Sequence, residues 1–279
     1  MNKLSTEKRT QIIGCLVEGM SIRSTVRITG ASKNTVTKLL VDIGKACADY
    51  QDKYLRNLNC KRLQCDEIWS FCYAKQKNVP DNLKGQFGYG DVWTWTAIDA
   101  KTKLVPSWMV GDRSAETAKT FIDDLASRLD NRVQLTTDGH SVYLEAVEES
   151  FGSEIDYAML IKIYGSNPEG EKRYSPAKIK EVKTKIISGR PERKHISTSY
   201  VERQNLTMRM CMRRFTRLTN AFSKKVENHA HAIALHFMYY NFCRIHKTLS
   251  VTPAMEAKVT DRLWDVEDIV KWGYPLRSS

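Results

Sequence analysis

The sequence predicts an α/β protein in which an all-helical segment precedes a mixed sheet flanked by helices. Three observations carry this. Residues 1–60 repeat apolar positions at helical spacing. From residue 62 to 163, short alternating runs rich in β-branched and aromatic residues are interleaved with two helical repeats. Charge is also laid out in blocks: residues 1–60 carry 10 basic and 5 acidic side chains, 61–161 carry 11 and 16, 162–225 carry 17 and 5, and 226–279 carry 6 and 6. An acidic centre between basic flanks suits carboxylates gathered in a core, with cationic surfaces gripping a polyanion.

The 279 residues are 42% hydrophobic and 27% charged, a globular composition, and Lys plus Arg outnumber Asp plus Glu by 44 to 32, a formal +12. Nucleic acid is the expected partner of such an excess. No segment approaches the ~20 apolar residues of a membrane span. The best stretch, Ala230 to Phe242, is interrupted by His231 and His236. The start, Met1 to Lys8, lacks the apolar core of a signal peptide, so a cytoplasmic, nucleoid-associated protein is expected. Cysteines 15, 47, 60, 65, 72, 211 and 243 form no CxxC pair and read as reduced, mostly buried hydrophobes.

Residues 5–18 are a helix with Ile12, Ile13, Leu16 and Val17 on one side and Gly19 past its end. Ser21 caps a short helix that stops at Gly30, and Ser32 caps a third with Val36, Leu39, Leu40 and Ile43 as its stripe. The last two read as a helix-turn-helix presenting Lys33, Asn34, Thr35, Thr37 and Lys38 to a major groove. Cys47 to Asn59 is a helical extension or linker. Residues 62–73 are a strand, followed by strands over 92–99 and 103–110, a helix from Ser114 to Leu129, a strand over 133–137, a helix over 141–151 and a fifth strand over 155–163. Three strands, helix, strand, helix, strand is the order of a ribonuclease-H-like core with a mixed five-stranded sheet.

In that order an acid inside the first strand and Asp138, at the carboxyl end of the fourth, lie on adjacent strands. Phosphoryl transfer on DNA can use two Mg²⁺ ions, which take hard oxygen ligands and keep several waters. The dipeptide Asp66-Glu67 leaves two candidates, and alternation puts Glu67 on the more apolar face, a lean towards Asp66.

Residues 165–198, with 9 basic and 4 acidic side chains, read as a basic insertion containing one helix, Pro176 to Ile187. A long helix then runs from Thr198 or Ser199 to about Leu218, with Val201, Met208, Cys211, Met212, Phe215 and Leu218 apolar. Glu202, Arg209, Arg213 and Arg217 line its other side as one acid heading an arginine column, and Arg203 adds a further cation. His229, His231 and His236 have no acidic partner nearby and read as packing or surface residues.

Several of these segments resemble insertion sequence one family transposases. The resemblance runs through Asp66-Glu67-Ile68-Trp69-Ser70-Phe71, Trp93-Thr94-Trp95-Thr96-Ala97-Ile98-Asp99, Val110-Gly111-Asp112-Arg113-Ser114 and Thr137-Asp138-Gly139-His140-Ser141-Val142-Tyr143. It continues through Tyr200-Val201-Glu202-Arg203-Gln204-Asn205, Arg213-Arg214-Phe215-Thr216-Arg217 and Tyr240-Asn241-Phe242-Cys243-Arg244-Ile245-His246. The resemblance implies a DDE transposase with Asp66, Asp138 and Glu202 as catalytic, metal-binding triad, which selects Asp66 over Glu67. It implies two Mg²⁺ ions, with Mn²⁺ as a substitute, and action on terminal inverted repeats and target DNA as a homodimer or higher oligomer. Two features depart from the family: no cysteine zinc finger precedes the helix-turn-helix, and 63 residues separate Asp138 from Glu202.

The expected organisation is therefore a helix-turn-helix domain and linker (1–58), a ribonuclease-H-like core with its insertion (59–225), and a C-terminal helical segment (226–279). The rival expectations are a DNA-binding repressor or domesticated module with an inactive core, and a nuclease that cuts without joining.

Overall fold

Three serines start the first three helices. Ser5, Ser21 and Ser32 accept from the backbone N–H of Lys8 (3.2 Å), Ser24 (3.0 Å) and Thr35 (3.1 Å). These caps open α1 (Thr6–Val17), α2 (Ile22–Thr29) and α3 (Lys33–Tyr54), each satisfying an N–H left over at a helix start. Gly30 ends α2 in the left-handed region, φ +68°, returning its N–H to Val26 O. The computed structural model describes residues 4–165, 179–216 and 220–274. α3 continues to Tyr54 because Cys47, Tyr50 and Gln51 extend its buried stripe.

The sheet follows with β1 (Arg62–Cys72), β2 (Gly90–Asp99), β3 (Trp108–Gly111), α4 (Ala115–Ala126), β4 (Val133–Thr137), α5 (Val142–Phe151), β5 (Ile155–Tyr164) and β6 (Ile179–Ser188). Its order is β3-β2-β1-β4-β5-β6. β1 pairs antiparallel to β2 and parallel to β4, β4 runs parallel to β5, and β2 is antiparallel to β3. On one face the fully buried Trp95 packs against Phe121 of α4 (5.9 Å) and Tyr143 of α5 (5.4 Å). On the other lies α6 (Ser199–Cys211), whose first free N–H groups, at Tyr200 and Val201, donate to Gln64 Oε1 of β1 (2.8 and 3.2 Å). The capping group thus comes from the sheet, and α6 is docked at a fixed height above β1.

Two expectations are corrected here. The sheet has six strands, because residues 179–188 form β6, antiparallel to β5, where a helix over Pro176 to Ile187 was expected. Val182, Thr184 and Ile186 are β-branched at every second position, which favours an extended chain, and pairing with β5 supplies the hydrogen bonds. Pro176 itself lies outside the described residues. The long helix expected to reach Leu218 ends at Cys211, with Met212 extended (φ −128°, ψ 102°) and one 3₁₀ turn at Arg213–Phe215. No glycine or proline marks this break. It turns Arg214 inward, where its Nη1 donates to Ser223 Oγ (2.8 Å) and Asn228 O (3.2 Å), and buries Met212 and Phe215.

After α7 (Val226–Phe242) come the short α8 (Pro253–Glu256) and α9 (Val266–Gly273). α7 lies along α3 so closely that a Cβ at Gly44 would stand 2.5 Å from His231 Cβ and 2.6 Å from its carbonyl oxygen. β3 is shorter than the expected 103–110, starting at Trp108; ahead of it the Leu104 and Ser107 carbonyls still accept from Asp99 and Ala97 of β2, while Asn241 of α7 bonds both backbone groups of Val105 at 3.0 Å. The rings of Trp264 and Trp272 close on Tyr50 of α3 at 5.0 and 4.9 Å, so the terminal helices share one core. Among the described residues no helix is long and apolar enough to cross a membrane.

Candidate active site

β1 runs through the middle of the sheet, and its parallel pairing with β4 ends at Cys65↔Thr137. Asp138 is the first residue past β4, so it falls beside Asp66 at the carboxyl end of the strand pair. This is where ligands of parallel sheets usually sit. The Asp138 carboxylate accepts from the backbone N–H of His140 (2.9 Å), a local turn that fixes its direction. Asp66 accepts from Glu67 N–H at Oδ1 (2.9 Å) and from Asn205 Nδ2 at Oδ2 (2.8 Å).

Carboxylate oxygens of Asp66, Glu67 and Asp138 lie within 4.8 Å of one another. Their electrostatics follow. Burial, then the charges of Asp138 and Glu67, push the Asp66 carboxyl up to about 7, and Glu202 adds to the same field. Burial and Asp138 push Glu67 to about 7 as well, against a hydrogen bond from the buried Tyr143 hydroxyl and the opposing pull of Arg113. All the donors in this group are carboxylate oxygens, a set that fits a hard divalent cation such as Mg²⁺.

Glu202, in the first turn of α6, stands outside that group of three. Its Oε1 accepts from Thr198 Oγ1 (2.5 Å) and is ion-paired with Lys162 of β5. Asp66 and Asp138 are therefore brought together, while Glu202 is within their field but turned towards a lysine.

Of the groups surrounding this site, Asn205 was readable in principle. It lies three residues beyond Glu202, one turn along the same helix face. Arg113 lies in a segment that carries the resemblance, but its pairing with Glu67 and that of Lys162 with Glu202 could not be read from the sequence, since each reaches its acid from another strand or loop. Arg113 holds Glu67 Oε2 through Nε (3.2 Å) and Nη2 (3.1 Å) and lies over the Trp93 ring (4.7 Å).

The expected DNA-reading residues divide. Lys33, Asn34, Thr37 and Lys38 line a cavity of about 700 Å³ together with Arg214, Lys224 and Lys225. Thr35 is occupied at the helix cap with Ser32, the Thr37 hydroxyl donates to Lys33 O, and Lys38 is paired with Asp42. Glu202, Arg203 and Arg209 lie on α6. Because α6 stops at Cys211, Arg213 leaves the helical column it was expected to extend, and Arg217 lies outside the described residues. His229 sits between Ser70 (3.1 Å) and Ser223 (3.0 Å), held down to about 3 by burial and the Arg214 charge. All seven cysteines are free thiols; 47, 60, 65 and 72 are buried and 15, 211 and 243 half-buried.

No protein-family model matches the chain, and no curated protein does. Among solved structures, it is similar to a piggyBac transposase in a synaptic complex with hairpin DNA. The TM-score is 0.42 at 10% identity, over 98% of this chain and 72% of that one.

Proposed function

We propose that the chain is a DDE-type DNA transposase that binds the terminal inverted repeats of an insertion sequence, cuts DNA strands and joins the freed 3′-hydroxyl to target DNA. One observation carries the reading: Asp66 inside β1 and Asp138 just past the carboxyl end of the adjacent parallel strand β4 meet, with Glu202 on the helix above. The order β3-β2-β1-β4-β5, in which β2 alone runs against the others, supports a ribonuclease-H-like core. The motif resemblance supports the same assignment.

Asp66, Asp138 and Glu202 would hold two Mg²⁺ ions, which when bound supply Lewis-acid activation of the attacking oxygen and charge neutralisation at the leaving one. The chain's own groups orient and grip. Asn205 fixes the Asp66 carboxylate, and Gln64 sets the height of α6 over it. Arg209 lies seven residues past Glu202 on α6, nearly above it and ~10 Å further along the axis, where a planar guanidinium suits a DNA phosphate. Arg203, the residue after Glu202 on α6, and Arg213, in the turn that follows α6, add to the positive charge of this segment. Lys33 and Asn34, with Thr35, Thr37 and Lys38, read the repeats from the start of α3. DNA is the partner, and a homodimer or higher oligomer forms on it.

The test is incubation of the full chain with end-bearing DNA and Mg²⁺, scoring cleavage and joining separately. Asp66→Asn, Asp138→Asn and Glu202→Gln should each lose cleavage while binding DNA near wild type, with non-additive effects because one site is being dismantled. Cleavage without joining would make the protein a nuclease. Binding with neither step would make it a repressor.

A further inference from the structure

We propose that Lys224 and Lys225 hold the phosphate backbone of the duplex whose bases the start of α3 reads, so that the site for DNA ends is a cleft with two walls, one from α3 and one from the segment after α6. This rests on the reading of α3 as a DNA-recognition helix.

The break after α6 builds the second wall. Met212 leaves the helix extended, and the chain later runs beside the end of β1, where Ser223 bridges Cys72 and its carbonyl accepts from the Tyr73 N–H (2.8 Å). Phe222 packs on Phe71 of β1 (4.9 Å), and Lys224 lies over the Phe222 ring (5.4 Å). Residues 222–225 are thus fixed to a strand in the middle of the sheet. Facing them is the first turn of α3. The space between, about 700 Å³, has Lys33, Asn34, Thr37 and Lys38 on one side and Arg214, Lys224 and Lys225 on the other.

The charge of this cleft is one-sided. Five cations line it and, among the described residues, no aspartate or glutamate does. An adjoining cavity of about 670 Å³ shares Lys33, Arg214 and Lys224, adds Arg23 and Arg213, and is likewise lined by no acid. Among the described residues, Lys38 alone of the five has a carboxylate partner, Asp42. Arg214 is the most exacting case. Burial pulls its guanidinium down to about 10, and the groups that meet it are neutral, the Ser223 hydroxyl and the Asn228 carbonyl. A cation withdrawn from water without an anion is costly, and a phosphate in the cleft would offset part of that cost.

The plainer account makes Arg214 a brace for the turn after α6 and the lysines solvated surface charges. It explains the two Arg214 hydrogen bonds. It does not explain why both walls carry the same sign across one gap, where they repel each other and where ordinary surfaces intersperse acids. A polyanion turns that repulsion into attraction. Duplex DNA fits the geometry, because a helix in the major groove has a phosphate backbone on either side of it, and a wall beside the helix meets phosphates. Such contacts fix register without reading sequence. The Ser223 bridge would carry that register to the acids, since Asp66 lies six residues before Cys72 on β1, about 20 Å along the strand.

The experiment is fluorescence anisotropy of the full chain with two duplexes, one carrying the terminal repeat and one scrambled, over a series of salt concentrations. Lys224→Gln with Lys225→Gln should lower the log–log salt slope by ~1.8 on both duplexes and leave the preference between them within about twofold of wild type. Lys224→Arg with Lys225→Arg keeps the charge and should keep the slope. Lys271→Gln removes an exposed lysine of α9 paired with Glu267, and as the control for net charge it should keep the slope too. An unchanged slope in the glutamine pair overturns the proposal, and so does an equal drop in the arginine pair or in Lys271→Gln. A drop on single-stranded DNA but not on duplex would put a different occupant in the cleft and overturn it as well. Asn34→Ala separates this failure from that of the underlying reading. If it relaxes the preference for the repeat while the glutamine pair changes nothing, α3 remains the reading helix and only the second wall is lost. If Asn34→Ala leaves the preference intact, the reading of α3 fails first and the proposal falls with it.

Discussion

Asp66→Asn should stabilise the cation-free chain at pH 8 relative to pH 5, although it removes a functional carboxylate. The folded-state carboxyl titrates near 7, against an ordinary value of 3.8, because it is buried and faces Asp138 and Glu67. A folded pKa above the unfolded one means that the folded chain keeps a proton which the unfolded chain has already released. The stability this contributes is complete below about pH 4 and is lost as pH rises through about 7. Between pH 5 and 8 the loss integrates to on the order of 2–3 kcal/mol. Asparagine has no proton to release, so the variant escapes this loss. Whatever hydrogen bonds it keeps or forfeits with Asn205 and the Glu67 N–H are the same at both pH values and cancel in the comparison. His229 and His236, each depressed to about 3, work the other way, adding stability as pH rises towards 6.5, but they are common to both chains. The assay is thermal melting in EDTA from pH 5 to 8. At ~2 °C per kcal/mol for a chain of this size, the gap between variant and wild type should move by roughly 5 °C in the variant's favour. Mg²⁺ at pH 8 should then raise the wild-type melting temperature and leave the variant's nearly unchanged. A gap that stays constant from pH 5 to 8 would refute the reasoning, since Asp66 would then ionise like a solvated carboxylate.

Three further outcomes are expected. Arg209→Ala should lower the log–log salt slope of DNA binding by ~0.9 and slow cleavage without changing which ends are chosen; an unchanged slope, measured by fluorescence anisotropy at several salt concentrations, would remove it from the phosphate contacts. Asn34→Ala should relax discrimination at one base pair of the terminal repeat by ~1–3 kcal/mol, and competition binding with single-substitution repeats reads this directly. Gly44→Ala should cost at least ~1–3 kcal/mol in urea unfolding, because the new methyl group collides with the α7 backbone at His231 rather than with a movable side-chain end. Stability equal to wild type would mean that α3 and α7 separate easily.

The local elements of this protein were determined by its sequence. Ser5, Ser21 and Ser32 start helices because a hydroxyl one turn ahead of an apolar stripe satisfies an N–H of the same segment. Residues 62–72 and 133–137 pair as strands because their alternation permits little else. The meeting of Asp66 with Asp138 was legible for the same reason, since strand order alone sets them side by side. What the tertiary structure decided involves groups that meet only after folding. Residues 179–188 became a strand through the edge offered by β5. α6 stopped at Cys211, without a breaker residue, because Arg214 found Ser223 and Asn228 inside. The backbone of Val105, just ahead of β3, is bonded by the Asn241 side chain of α7, 136 residues away. Alternation placed Glu67 on the apolar face of β1, away from Asp66, and the structure puts it opposite Trp95 and against Tyr143 while Asp66 meets Asn205 of α6. That Tyr143 and Arg113 would be the partners of Glu67 was decided by the tertiary fold. Periodicity records which way a side chain leaves the backbone. It carries no information about where a neighbouring strand ends, and here that ending sets Asp138 beside Asp66.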